Sequence, residues 1–142
     1  MFRKILLSLA LLVLLLPTGI QARNISELKG IYPVAYDEIN EMCGQPPGYD
    51  PISGCYFPAK GIYIRDDLPK ERFIFVFWHE VGHFFIEGVT DEQYRTLFNP
   101  TPLKLAGTAL QEIAADTFAL WMMGGKVPKN QKQFFIKLLT EK

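Results

Sequence analysis

The stretch Trp78-His79-Glu80-Val81-Gly82-His83-Phe84 decides how the rest of the chain is read. It has the form H-E-x-x-H. On an α-helix, residues four apart lie on one face, one turn above the other. His79 and His83 can therefore offer two imidazole nitrogens to a single point. A tetrahedral Zn²⁺ takes such ligands at about 2 Å. Glu80, one position round the helix, can reach a water at that point without being aimed at the ion. A general base for an activated water belongs there. The plain alternative is a chance pattern around hydrogen-bonded core histidines. Two features favour a site. These are the only two histidines of the chain. They are also embedded in apolar residues, Phe73-Ile74-Phe75-Val76-Phe77 before and Phe84-Phe85-Ile86 after. Imidazoles and a carboxylate left unpaired there would be costly.

The chain has 142 residues, enough for one domain. Its 15 basic and 15 acidic residues cancel, so no basic surface points to a nucleic-acid partner. The first stretch is different in kind. Arg3 and Lys4 precede the apolar run Ile5 to Leu16, Pro17-Thr18-Gly19 breaks it, and Ala22 offers a small residue before a cut. This is the layout of a secretory signal peptide over 1-22, leaving one domain over 23-142. The run is short for a spanning helix, which needs about 20 residues. An uncleaved anchor is the alternative, and only that case brings in a membrane. The expected address is secreted or periplasmic.

Cys43 and Cys55, the only cysteines, flank a loop rich in Pro and Gly. In an oxidising compartment a bridge across it would contribute up to about 3 kcal/mol by limiting the unfolded chain. Free thiols or zinc ligands are the alternative, but the spacing is far from C-x₂-C.

Along the mature chain, Arg23 to Met42 carries a helical pattern weakened by Gly30 and Pro33, so the better helix covers Asp37 to Met42. Tyr56-Phe57 and Gly61 to Arg65 read as a hairpin turning at Pro58-Ala59-Lys60-Gly61. Gly61 to Arg65 is either an ordinary hairpin strand or an edge to which a peptide could add. Asp67 is the expected cap of a helix from Glu71 to Ile86, with Pro69 in its first turn. That helix is apolar nearly all round, as a buried central helix should be. Gly82 inside it costs about 1 kcal/mol against Ala, which close approach to another element would offset. Gly88 is a C-terminal cap. Thr90 with Gln93 forms a capping box for the next helix, which Asn99-Pro100-Thr101-Pro102 stops. A long helix follows from Leu103 to Met123, with a break at Gly107, and ends at Gly124-Gly125. Lys129 to Leu139 closes the chain with Phe134, Phe135 and Leu138 as its apolar stripe.

Two histidines leave zinc short of one protein ligand, since catalytic zinc usually keeps three. Glu112 and Asp116 lie four apart in the long helix, among Leu110, Ile113, Phe118 and Trp121. Zinc could meet Glu112, and the second N–H of a ligand histidine could meet Asp116. The alternative is a solvent-facing acidic stripe, against which Ala109, Ala115 and Ala119 argue, because small residues let helices pack closely.

His79-Glu80-Val81-Gly82-His83 followed by Glu112-x-x-Ala115-Asp116-x-Phe118-Ala119 resembles the gluzincin metallopeptidases. The short second motif is similar to compact gluzincins, including the ImmA/IrrE type. The resemblance covers roughly Gly61 to Met123. It implies an α+β, mainly helical zincin-like domain with a small β-hairpin, and zinc between the two motif helices. It implies His79, His83 and Glu112 as zinc ligands, Glu80 as general base and Asp116 as partner of a ligand histidine. The export signal and the cysteine pair set this chain apart from ImmA/IrrE-type proteins, which work inside the cell. No third histidine or Met-turn follows the motif, which argues against a metzincin. Gluzincins also hold an oxyanion with Tyr or His. Tyr63, Tyr94 and Arg95 are the candidates here, and the sequence does not choose among them.

The expectation is thus an exported zinc metallopeptidase acting on a peptide or protein. Its rival is a non-catalytic module using the same scaffold for protein binding, which has no need of Glu80 beside a reactive water.

Overall fold

The structure is a computed structural model that describes residues 28–98 and 107–141. The expected signal segment 1-22 and the Pro-rich stop at Asn99 to Pro102 lie outside them. The fold class is α+β: three strands and five helices among the described residues.

The first strand, β1 (Ile31–Val34), falls where a helical pattern was expected. Ile31, Tyr32 and Val34 have β-forming side chains, and Pro33 is tolerated because β1 is an edge strand whose outer side needs no donor. The short helix α1 (Ile39–Met42) follows, so the expectation of a helix near Asp37 to Met42 holds only for its second part. Next come β2 (Gly54–Phe57) and β3 (Gly61–Arg65), joined by the expected turn.

The sheet order is β1-β3-β2, with β1 parallel to β3 and β2 antiparallel to it. This corrects the reading of Gly61 to Arg65 as an edge. β3 is the central strand, paired on both sides, and Ile62 and Ile64 point into the core with no exposure. β2 is the edge strand on the other side.

Helix α2 (Lys70–Ile86) carries the H-E-x-x-H stretch. Pro69, not Asp67, stands at its N-cap, and no side chain caps it. Asp67 instead pairs with Arg65 at 2.8 Å. Val76, Phe77, Trp78, Val81, Phe85 and Ile86 are all buried, which makes α2 the central helix as expected. It is covered by β2 and β3 and by α4 (Gly107–Met122). Gly88 takes φ +85° just past the helix end, where a side chain would be strained.

Helix α3 (Asp91–Phe98) starts on the Thr90–Gln93 box, in which Thr90 N–H donates to Gln93 Oε1 at 3.0 Å. Helix α5 (Lys129–Glu141) packs Phe135 against Phe118 and Trp121 of α4, with ring centroids 5.3 and 5.8 Å apart. Phe135 and Leu139 are buried, while Phe134 and Leu138 are only partly so.

Cys43 and Cys55 form a disulfide. It joins the end of α1 to β2 beside a second small core of Val34, Ile39 and Cys43. Asn40, which carried no signal in the sequence, organises the loop between them. Its side chain donates to Tyr49 O at 2.8 Å and accepts from Ile52 N–H at 3.1 Å. No helix among the described residues is long and apolar enough to cross a membrane.

Candidate metal centre

Helical spacing brings His79 and His83 to one side of α2, with their Nε2 atoms 3.1 Å apart. Glu112 reaches the same point from α4. Its Oε2 lies 3.2 Å from His79 Nε2 and its Oε1 3.2 Å from His83 Nε2. Asp116, one turn further along α4, has Oδ1 2.8 Å from His79 Nδ1. All five sequence-nominated site residues therefore come together, and His79, Glu80 and His83 form a group that could hold a metal ion.

The close approach of α2 and α4 makes this convergence geometrically feasible. A Cβ at Gly82 would stand 3.1 Å from Ala115 Cα and 3.3 Å from Ala115 O. Gly82 thus lets the two helix backbones nearly touch, which offsets its poor helix propensity. Ala115 is fully buried in that contact and Ala119 is fully buried one turn on, whereas Ala109 is exposed.

One expectation about α4 needs correction. Glu112 and Asp116 are not buried among apolar neighbours; their side chains are 59% and 60% exposed. They border an open cleft, so water meets part of their cost. The buried carboxylate is Glu80, at 5% exposure. It lies under β2, because Gly54 has no side chain: a Cβ there would stand 3.4 Å from Glu80 Oε1 and 2.8 Å from Val76 Cγ1.

The electrostatics follow from these positions. Burial pushes the Glu80 carboxyl up from 4.5 to about 7, against the pull of His79 and His83. Burial also works against the charged form of His79. The carboxylates of Glu112, Glu80 and Asp116 outweigh it, and the imidazole stands above its ordinary value. Contacts with His79 and His83 hold Glu112 well below the usual carboxylate range. The cluster thus sets a carboxylate held ionised, Glu112, beside a buried carboxyl, Glu80, that burial drives towards its neutral form.

The cluster opens into a cleft of about 830 Å³ between β2, α2 and α4. Tyr94 lines it but is tied down, its hydroxyl donating to Ile86 O at 3.0 Å. Burial pushes that hydroxyl up to about 12. Tyr63 faces Tyr32 and Phe57 on the sheet, and neither it nor Arg95 lines the cleft. Lining residues not singled out from sequence include Arg72, Tyr56 and Gly54. Arg72 shares the His79 face, seven residues away, so helical spacing could have found it. Gly54 carried no local signal.

No family model matches the chain, and no curated protein or solved structure matches it either.

Proposed function

We propose that this chain is an exported zinc-dependent peptidase of gluzincin-like design. The observation that carries the reading is the convergence of three side chains. His79 Nε2 and His83 Nε2 are 3.1 Å apart, and each lies 3.2 Å from its own oxygen of the Glu112 carboxylate, Oε2 for His79 and Oε1 for His83. Ligands at about 2.0 Å around a tetrahedral ion are separated by about 3.3 Å, so these separations are compatible with a shared zinc ion.

The chain's own residues support the chemistry. With Nδ1–H donating to Asp116, His79 keeps the Nε2 lone pair turned inward, which is the tautomer a ligand needs. Bound zinc would supply Lewis-acid polarisation of a carbonyl and of an attacking water. Glu80 would accept the water's proton and pass it to the leaving nitrogen. Its poise near 7 before metal binding is that of a group able to do both. The edge strand β2 borders the cleft, so an extended peptide could pair with it as an added strand. The disulfide fits an oxidising compartment outside the cytosol.

The test is Glu80→Gln. The variant should retain zinc and the fold, because the amide has nearly the same shape. It should lose about 10²–10⁴ in turnover on a mixed peptide library, because Gln cannot take the proton. Equal cleavage by parent and variant would overturn the mechanism. A zinc-loaded parent that binds peptides and cleaves none would instead support a non-catalytic binding module.

A further inference from the structure

The cleft follows α2 from Arg72 in its first turn to Glu87 just past its last. The edge strand keeps the same course. Gly54 lies against Val76 and Glu80, and two residues later Tyr56 packs edge-on against Phe84, with ring centroids 5.9 Å apart. His79, Glu80 and His83 occupy the middle of this line. Beyond His83 the cleft continues over the end of the helix.

That end is built round Ile86. Its carbonyl accepts from Val89 N–H at 3.0 Å and from the Tyr94 hydroxyl at 3.0 Å, which gathers both residues beside it. All three line the cleft, with Tyr56 and Pro58 from the strand side. Ile86 and Tyr94 are buried, Val89 and Tyr56 half-buried and Pro58 exposed, as suits the floor, walls and rim of a recess.

The polar tips at this end are already engaged. The Tyr94 hydroxyl is bound to Ile86. The Tyr56 hydroxyl donates at 3.2 Å to Glu87, the one charged residue lining this end among the described residues. What the recess offers a ligand is therefore carbon, from two phenol rings, Ile86, Val89 and Pro58. Replacing water there by an apolar group is favourable. A polar side chain would give up its water and find no partner. Ile86 stands three residues past His83, about 4.5 Å along the helix axis. An extended peptide advances about 3.3 Å per residue, so the recess falls one or two residues from a carbonyl held at the histidines.

We propose that this recess is a specificity subsite that takes one apolar side chain, one or two residues from the reacting carbonyl. This rests on the peptidase reading and specifies its substrate class, extended peptides with a large aliphatic or aromatic residue at that position. The recess is continuous with the candidate metal centre, which makes the substrate its occupant.

The test separates binding from turnover. Binding is read on zinc-loaded Glu80→Gln protein with fluorescent octapeptides of Ser and Thr, capped at both ends and carrying one variable residue. Leu and Phe peptides should bind about tenfold more tightly than their Ala, Asn, Asp and Lys counterparts, as burial of a few methylene groups gives. The margin should persist from 50 mM to 500 mM sodium chloride, because apolar contact is not screened as exposed charges are. Val89→Asp should remove the margin with zinc content unchanged, and the near-isosteric Val89→Thr should reduce it. Should Val89→Asp fail to fold, the Val89→Thr margin decides alone. On the parent, the cut should fall at one fixed distance from the Leu or Phe, wherever that residue is placed in the peptide. Equal binding of Leu and Asn peptides, or a margin unchanged by substitution of Val89, would overturn the proposal. If the margin holds and depends on Val89 while the parent cleaves nothing, the peptidase reading falls and the apolar subsite stands. If the parent cleaves peptides without regard to the apolar residue, the subsite falls alone.

Discussion

Gly82 of α2 and Ala115 of α4 lie so close that one added methyl at Gly82 would stand 3.1 Å from the Ala115 Cα. The neighbour is helix backbone, which cannot swing aside. This contact holds the two histidines of α2 within reach of Glu112, one turn before Ala115.

Gly82→Ala accordingly sets two effects against each other. Helix propensity gains about 1 kcal/mol. Overpacking against backbone costs about 1–3 kcal/mol. We expect net destabilisation and a weaker zinc affinity, because α4 and Glu112 must move away from His79 and His83. Urea unfolding and a chelator-competition zinc titration check both; a variant more stable than the parent with unchanged zinc affinity would contradict the packing argument.

Glu112 and Asp116 should separate in their effects on metal. Glu112 touches both histidines, whereas Asp116 touches only the far nitrogen of His79. Asp116→Ala should cost about 10–100-fold in zinc affinity, through loss of ring orientation and tautomer. Glu112→Ala should cost clearly more. Equal affinity in Glu112→Ala and the parent would remove Glu112 from the ligand set.

The metal-free protein should lose stability with rising pH through Glu80. Its folded carboxyl titrates at about 7 against 4.5 when unfolded, because burial favours the neutral form. Between those values the folded state holds the extra proton. The contribution is fully present below 4.5 and is lost as pH rises through about 7. The shift is worth on the order of 3 kcal/mol. His79, raised above 6.5, changes stability in the same direction, so the parent alone does not isolate Glu80. The difference between Glu80→Gln and the parent does. In chelator, the variant's stability advantage should grow from pH 5 to pH 8 as read by urea midpoints, and a constant difference would count against a buried, neutral-leaning Glu80.

The disulfide should be both complete and structural. Thiol titration of denatured, unreduced protein should find no free thiol. Replacing Cys43 and Cys55 together with Ser should cost about 3 kcal/mol. The loss should also reach the site, since Cys55 is next to Gly54, which lies over Glu80. A double variant as stable as the parent would assign the loop's order to Asn40 and its hydrogen bonds instead.

Local pattern was enough for part of this protein. The pairing of His79 with His83, the burial of α2, the β2–β3 turn, the Thr90 cap and the stops at Gly88 and Gly124 all depend on residues within a few positions of one another. Periodicity and capping chemistry encode such features directly. The partnership of Glu112 with the histidines was legible from a second helical spacing, although its exposure was not. Exposure depends on what covers α4, and there the cleft stays open. Tertiary contact alone decided the rest. β1 pairs with β3 across some thirty residues, which overrode the helical pattern of its own neighbourhood and moved Gly61 to Arg65 from the edge to the centre of the sheet. That in turn left β2 as the strand beside the site. Gly54 sits over Glu80, and Arg72 and Glu87 mark the ends of one cleft, only because β2 lies along α2. Strand order and the line of a cleft are set by the sum of distant packing contacts, which no short stretch of this chain records.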